Sequence, residues 1–204
     1  MNQNISQKEA TVSRDLNDSD RPLTDIELVK RAQQGDSEAF ATLFRAHKAR
    51  IYSICLRMTN NTAQAEDLTQ DAFLQVFRKL STFKGNSALS TWLYRIAVNT
   101  TNDWRREKLT DAIAHEELTA ALRSEDEVRG ADFTAVQEAL LSLSDDLRQA
   151  IVLIYYENMT HAEAARVMGC AETTVSWRMF TARRKLKHLL TRTASTQSER
   201  ADER

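Results

Sequence analysis

Two stretches of the chain set aromatic, amide, hydroxyl and cationic side chains close together. In the first, Phe83-Lys84-Gly85-Asn86-Ser87 leads into Thr91-Trp92-Leu93-Tyr94-Arg95, followed by Asn99, Asp103, Trp104, Arg105 and Arg106. Aromatic rings stack on base faces and arginines pair with phosphates, so this set suits a single strand of nucleic acid. A loop with Gly and Ser can also hold an unstacked base. The alternative is that Trp92 and Trp104 anchor a core and the arginines are solvated ends. In the second stretch, Thr173, Thr174, Ser176 and Trp177 precede a run containing Arg178, Arg183, Arg184, Lys185 and Lys187. Short polar groups at the start of a basic helix suit base-pair edges, and the cations suit phosphates or bases.

Other chemistry is poorly supported. His47, His115, His161 and His188 are scattered without ligand spacing, and neither an activated nucleophile nor a Gly-rich phosphate loop is present. The reading is a non-enzyme with no metal or cofactor. Cys55 and Cys170 lack CxxC spacing and lie in helical patterns, which suggests small buried hydrophobes in a reducing compartment. No apolar run of about 18 residues and no signal-peptide core is found, so no membrane insertion and a cytoplasmic location are expected. The net charge of −1 hides a polarity. Residues 24–108 carry 13 Lys/Arg against 9 Asp/Glu, residues 109–134 carry 2 against 7, and residues 135–190 carry 7 against 6. An acidic segment thus separates a basic block from a near-neutral one, a pattern a polyanion feels locally.

The elements that position these residues read as helices. Four glycines and the single Pro22 leave few special backbone positions for strands and tight turns. Apolar residues recur at spacings of three and four, so the fold class is all-α. Residues 1–23 are polar and aperiodic and read as a disordered tail. Thr24 caps a helix over residues 25–33, Gly35 lies past its end, and Asp36 caps the next, with Phe40, Leu43, Phe44, Ile51, Ile54, Cys55 and Met58 as its apolar stripe. After Asn60-Asn61 a third helix turns Leu68, Ala72, Phe73, Val76, Phe77 and Leu80 inward. Leu74 lies off that stripe beside Asp67, Gln70, Asp71, Gln75 and Arg78. It is either an ordinary exposed leucine or an interface anchor. A loop over residues 81–89 precedes a helix over residues 90–108. Residues 109–133 form an acidic linker. A second helical unit spans residues 134–190, with Val136, Leu140, Leu141 and Leu143 apolar and Ser144 capping a helix that holds Leu147, Ile151, Leu153 and Ile154. Residues 191–204 read as a tail.

Within the second unit, Thr160-His161-Ala162-Glu163 fits a capping box, and Gly169 stands where a left-handed turn residue is needed between two helices. The final helix points Val175, Met179, Ala182 and Leu186 inward and Arg178, Arg183, Arg184, Lys185 and Lys187 outward. This is a helix-turn-helix pattern, whose second helix can enter a major groove. An αα-hairpin with a solvated basic face would look similar.

Taken in order, these motifs resemble the extracytoplasmic-function (ECF) group of bacterial RNA polymerase sigma factors, of the sigma-70 family. Ala65-Glu66-Asp67-Leu68-Thr69-Gln70-Asp71-Ala72-Phe73 resembles the polymerase-binding helix of region two. Ser90-Thr91-Trp92-Leu93-Tyr94-Arg95-Ile96-Ala97-Val98-Asn99, with Asp103 and Arg105-Arg106, resembles the part that follows. Thr174-Val175 with Arg178, Phe180, Ala182 and Arg183 resembles the recognition helix of region four. The resemblance covers residues 24–190. It implies that Asp67, Gln70, Asp71, Leu74 and Arg78 contact the β′ clamp helices of core RNA polymerase. It implies that the loop over residues 83–88, with Phe83, Lys84, Asn86 and Ser87, captures a flipped base of the minus-ten element. Thr91, Trp92, Arg95, Asn99, Asp103 and Arg106 would support melting or contact promoter DNA. The second domain would sit on the β flap and read the minus-thirty-five element through Thr173, Thr174, Ser176, Trp177, Arg178, Thr181, Arg183, Arg184 and Lys187. The acidic linker would follow the RNA path, and an anti-sigma factor is a family expectation. Four places depart from the family: Trp177 replaces a small polar residue, Thr181 replaces a frequent arginine, Cys170-Ala171-Glu172 replaces a proline-containing turn, and Leu89 replaces an aromatic.

Two rival readings remain at this point: a helix-turn-helix regulator that binds duplex DNA without being a polymerase subunit, and a decoy that binds an anti-sigma factor but no DNA. Trp92, Asn99 and Arg178 speak against the decoy.

Overall fold

The computed structural model describes residues 23–114 and 131–202, with side chains for residues 23–110 and 135–191. Of the expected tail over residues 1–23, linker over 109–133 and tail over 191–204, residues 1–22, 115–130 and 203–204 lie outside the described residues. Among the described residues there is no β-strand. Eight α-helices follow in order: α1 Asp25–Gln33, α2 Ser37–Thr59, α3 Thr62–Lys79, α4 Leu89–Ala114, α5 Ala131–Leu141, α6 Asp145–Ile151, α7 His161–Met168 and α8 Glu172–Asp202.

Local chemistry sets most of the boundaries. Thr24 and Glu27 cap α1 reciprocally, and the Asp36 carboxylate accepts from the amides of Glu38 and Ala39 at the start of α2. Asn60 takes the left-handed conformation that stops α2, at φ 54°. The Asn61 side chain then accepts from the Gln64 amide and starts α3. Asparagine tolerates the left-handed region better than most residues, which is why two adjacent asparagines can turn the chain so tightly.

The first unit, α1–α4, buries Leu43, Ile51, Ile54, Cys55 and Met58 of α2 against Leu68, Ala72, Phe73 and Val76 of α3 and Leu93, Ile96 and Ala97 of α4. Several expectations need correcting. Phe77 is 65% exposed and meets Phe40 edge to face, with ring centres 5.2 Å apart. A 3₁₀ turn, Leu80–Thr82, follows α3, and α4 starts at Leu89 and runs on to Ala114. Its last turns occupy what reads in sequence as the start of the linker, where no glycine or proline stops a helix. Val136 is exposed while Gln137 is buried. Ser144 stands at the N-cap of α6 but its side chain makes no capping bond. The backbone of α8 stays helical through Asp202, beyond the expected tail boundary.

The second unit packs on the first through Arg148, of which 1% is exposed. Its guanidinium donates to the carbonyls of Leu140, Leu141 and Leu143 at 2.9, 2.6 and 2.9 Å, and to the Met58 carbonyl of α2 at 2.9 Å. The last turns of α2 and α5 thus converge on one cation, where unpaired carbonyls and helix dipoles favour positive charge. Arg105 donates to the same Met58 oxygen at 3.0 Å and pairs with Asp145 at 3.0 Å. Burial, then repulsion from Arg105, pulls the Arg148 pKa down to about 10, with Asp145 opposing. Around this centre Gln149 donates to Asn102 at 2.7 Å, and Arg57 lies 4.0 Å from the Tyr156 ring centre. Tyr156 reaches Arg57 from a π-helical turn, Val152–Tyr156, which also turns Tyr155 outward.

Candidate nucleic-acid interface

Three surfaces carry the residues singled out above. On α3, Asp67, Gln70, Asp71, Leu74 and Arg78 are all exposed, Leu74 by 53%. Spacings of three and four place them on one face, opposite Leu68, Ala72 and Val76. The result is a polar, partly acidic strip with one apolar side chain in it.

The second surface is the loop before α4 together with one face of α4. Gly85 takes φ 74°, a left-handed value that turns the chain at no steric cost. The loop is pinned from behind, because the Gln33 side chain donates to the carbonyls of Leu80 and Phe83 at 2.9 and 3.0 Å. Phe83 rests on Trp92 with ring centres 5.2 Å apart, and both are half-buried. Trp92 and Trp104 therefore each pack partly against the core and leave part of the side chain outside it. Lys84 and Asn86 are exposed and Ser87 half-buried. On α4, Arg95, Asn99, Asp103 and Arg106 form an exposed stripe. Asn99, Asp103 and Arg106 border a cleft of about 330 Å³ against Gln75 and Lys79 of α3. Arg106 and Asp103 pair at 3.2 Å. Thr91 is the exception: it is 5% exposed and faces the core, so from this position it cannot touch DNA.

The third surface is the helix-turn-helix. Thr160 and Glu163 form the capping box: the Thr160 amide and hydroxyl each donate to the Glu163 carboxylate at 2.8 Å, and the Glu163 amide returns to the Thr160 hydroxyl at 3.2 Å. Those bonds hold the Glu163 carboxyl below its ordinary pKa. Gly169 ends α7 at φ 63°, and Ala164 and Ala165 are buried, which lets α8 approach closely. His161 and Ser176 meet at 2.9 Å across the motif, a contact the sequence reading missed. Along α8, Val175, Met179 and Ala182 are buried; Thr173, Ser176, Trp177, Arg183, Arg184 and Lys187 are exposed; Thr174 and Thr181 are intermediate. Arg178 does not point outward as expected. It is held by the Asp146 carboxylate of α6 at 2.6 Å and by Cys170 Sγ at 3.5 Å. Asp146 lies 32 residues upstream, and a helical wheel of α8 alone cannot show it.

Among the described residues no group of three or more His, Cys, Asp or Glu is placed to hold a metal ion, and no helix is long and apolar enough to cross a membrane. Cys55 is buried and burial raises its pKa, whereas Cys170 is only half-buried beside Arg178.

Comparison with known proteins agrees with this layout. Residues 43–109 match the family model for sigma-70 region 2, and residues 133–186 match that for sigma-70 region 4. The chain is 33% identical to the RNA polymerase sigma-H factor of Pseudomonas aeruginosa over 81% of its own length and 93% of that protein. It is 35% identical to the ECF RNA polymerase sigma-E factor of Escherichia coli, over 79% of this chain and 91% of that one. Among solved structures, the Bartonella quintana sigma factor RpoE, in complex with the anti-sigma factor NepR, matches with a TM-score of 0.67 at 25% identity, covering 74% of this chain and 96% of that one. CnrH, in complex with the cytosolic domain of CnrY, matches with a TM-score of 0.64 at 26% identity, covering 82% and 96%. With two helical units in this order, both family models matched, and relatives above 30% identity along most of its length, the chain belongs to the ECF sigma factors of the sigma-70 family.

Proposed function

We propose that this chain binds core RNA polymerase through the exposed strip on α3, and that the polymerase then uses the other two surfaces to find and open promoters. The observation that carries the reading is the presence of three separate exposed surfaces on one chain. A plain helix-turn-helix regulator needs only the third. The α3 strip, with Leu74 among Asp67, Gln70, Asp71 and Arg78, has the composition of a protein contact: an apolar anchor within a polar rim. The loop of residues 83–88 and the Arg95–Asn99–Asp103–Arg106 stripe suit the minus-ten element. There Trp92 and Phe83 offer ring faces for stacking, and Lys84, Arg95 and Arg106 offer charge to phosphates. The Arg178–Asp146 pair makes Arg178 first a positioning residue, which sets the angle of α8 for the minus-thirty-five element.

The chain contributes recognition and melting, and the polymerase contributes the chemistry. It acts in the cytoplasm, where the polymerase is. An anti-sigma factor is the expected regulator; two structural neighbours, RpoE and CnrH, are seen in complexes, RpoE with the anti-sigma factor NepR and CnrH with the cytosolic domain of CnrY. The test is transcription by purified core polymerase on genomic fragments with and without the chain. Transcripts from discrete start sites should require it. Sequence-specific duplex binding by the chain alone, without any effect on the polymerase, would favour the regulator reading instead.

A further inference from the structure

On the reading that α8 lies in the major groove, we infer that Trp177, seconded by Phe180, reads thymine methyl groups, so that the minus-thirty-five element is selected by apolar contact rather than by arginine–guanine pairing. At about 100° per residue, Trp177 lies roughly opposite the buried stripe of Val175, Met179 and Ala182, at the centre of the outward face. It is 62% exposed and Phe180, one turn on, is 65% exposed. Nothing in the fold needs two large aromatic side chains in solvent there.

The cations of α8 stand elsewhere. Arg178 is only 16% exposed and is committed to Asp146 at 2.6 Å. Arg183 lies 5.4 Å from the Tyr155 ring centre at the flank. Arg184 and Lys187 sit in later turns, where phosphates rather than base edges are reached. The first turns of α8 therefore offer hydroxyls and rings to the groove but no free guanidinium. A guanine is best read by a bidentate arginine, whereas a thymine is distinguished by its C5 methyl, which takes apolar contacts. The flanking cations make duplex DNA, rather than an apolar pocket of another protein, the occupant that fits this face.

The test uses core polymerase loaded with the full-length chain, wild type or Trp177→Ser, on a promoter the holoenzyme transcribes, with the base pairs around minus thirty-five randomised. Transcribed templates should be enriched in thymine at one or more positions of one strand. Rebuilding a selected template with deoxyuridine in that window removes only the methyls, and should lower transcription about fourfold for each methyl contacted. With Trp177→Ser the thymine-to-uracil ratio should fall, and with Phe180→Ser added it should reach about one, with an unchanged melting curve because both side chains are exposed. Enrichment of guanine without thymine, or equal use of thymine and uracil templates by the wild type, overturns the inference. So does a Trp177→Ser holoenzyme that keeps the ratio; if it also loses core binding in a pull-down, the aromatic pair serves a protein contact. If no sequence at all is selected in the window, the reading of the second unit as the minus-thirty-five binder fails first.

Discussion

The Arg148 guanidinium reaches the Met58 carbonyl at 2.9 Å, tying the C-terminal end of α2 in the first unit to the start of the second. Three further carbonyls accept from it, so that four of its five N–H groups donate to backbone oxygens, and no buried side-chain polar atom among the described residues is left unpartnered. The arrangement puts a cation where two helix ends present unpaired carbonyls, so the cost of burying the charge is offset by bonds and dipoles rather than by one carboxylate; Asp145 is 3.7 Å away.

Truncating that side chain should therefore be costly. Arg148→Ala takes the guanidinium from the Leu141 and Leu143 carbonyls, while Met58 keeps Arg105, and should destabilise the chain by about 3 kcal/mol, lowering Tm by about 6–12 °C. Thermal unfolding followed by circular dichroism checks this. A shift of less than about 2 °C would mean that water replaces the guanidinium at no cost.

Arg178 and Asp146 should behave as one unit. Each single alanine substitution should weaken transcription that depends on the minus-thirty-five element while core binding survives, and the double variant should be no worse than the worse single. The stability share of the pair is small, below about 1 kcal/mol, because Asp146 is 60% exposed. If Arg178→Ala impairs promoter use and Asp146→Ala is silent, Arg178 acts on the DNA directly.

The α3 strip should be separable from the fold. Asp71→Lys or Leu74→Glu changes only exposed side chains, so melting should be unaffected, while pull-down of core polymerase should fall by at least about tenfold, the equivalent of about 1.4 kcal/mol at a protein contact. Unchanged pull-down would remove α3 from the interface.

The capping box gives a pH-dependent term. Glu163 titrates below the ordinary glutamate pKa because the Thr160 amide and hydroxyl bond its charged form. Its stabilisation is therefore complete above the unfolded pKa and is lost as the pH falls through the lower, folded one. Glu163→Gln should lower Tm at neutral pH, and the gap to wild type should narrow on acidification below the ordinary glutamate range. A gap that stays constant would mean the charge contributes nothing there. Thr160→Ala should cost about 1 kcal/mol.

What was legible in the sequence was local. Thr24, Asp36, Thr160 with Glu163, and Gly169 reveal themselves because a cap and its partners lie within four residues. The α3 strip and the core faces of α2 and α8 follow from helical period alone. Phe77 did not, since period places it near the buried side but the packing of α3 against α2 leaves it 65% exposed at the edge, against Phe40. Thr91 reads as a polar candidate beside Trp92, yet α4 turns it inward. Arg148 gave no signal as a lone cation in an apolar helix, because its Met58 acceptor lies 90 residues upstream. Arg178 falls under the same rule, with Asp146 32 residues upstream: long-range partners decide which cations are free.

A chain that works as a polymerase subunit must change what the polymerase transcribes. Run-off transcription on genomic fragments, with purified core polymerase alone and with the chain added, tests it most directly. Discrete transcripts are expected only when both are present, and they should be lost with Leu74→Glu. Transcripts independent of the chain, or specific binding of the chain alone to duplex promoters with no change in polymerase output, would contradict it.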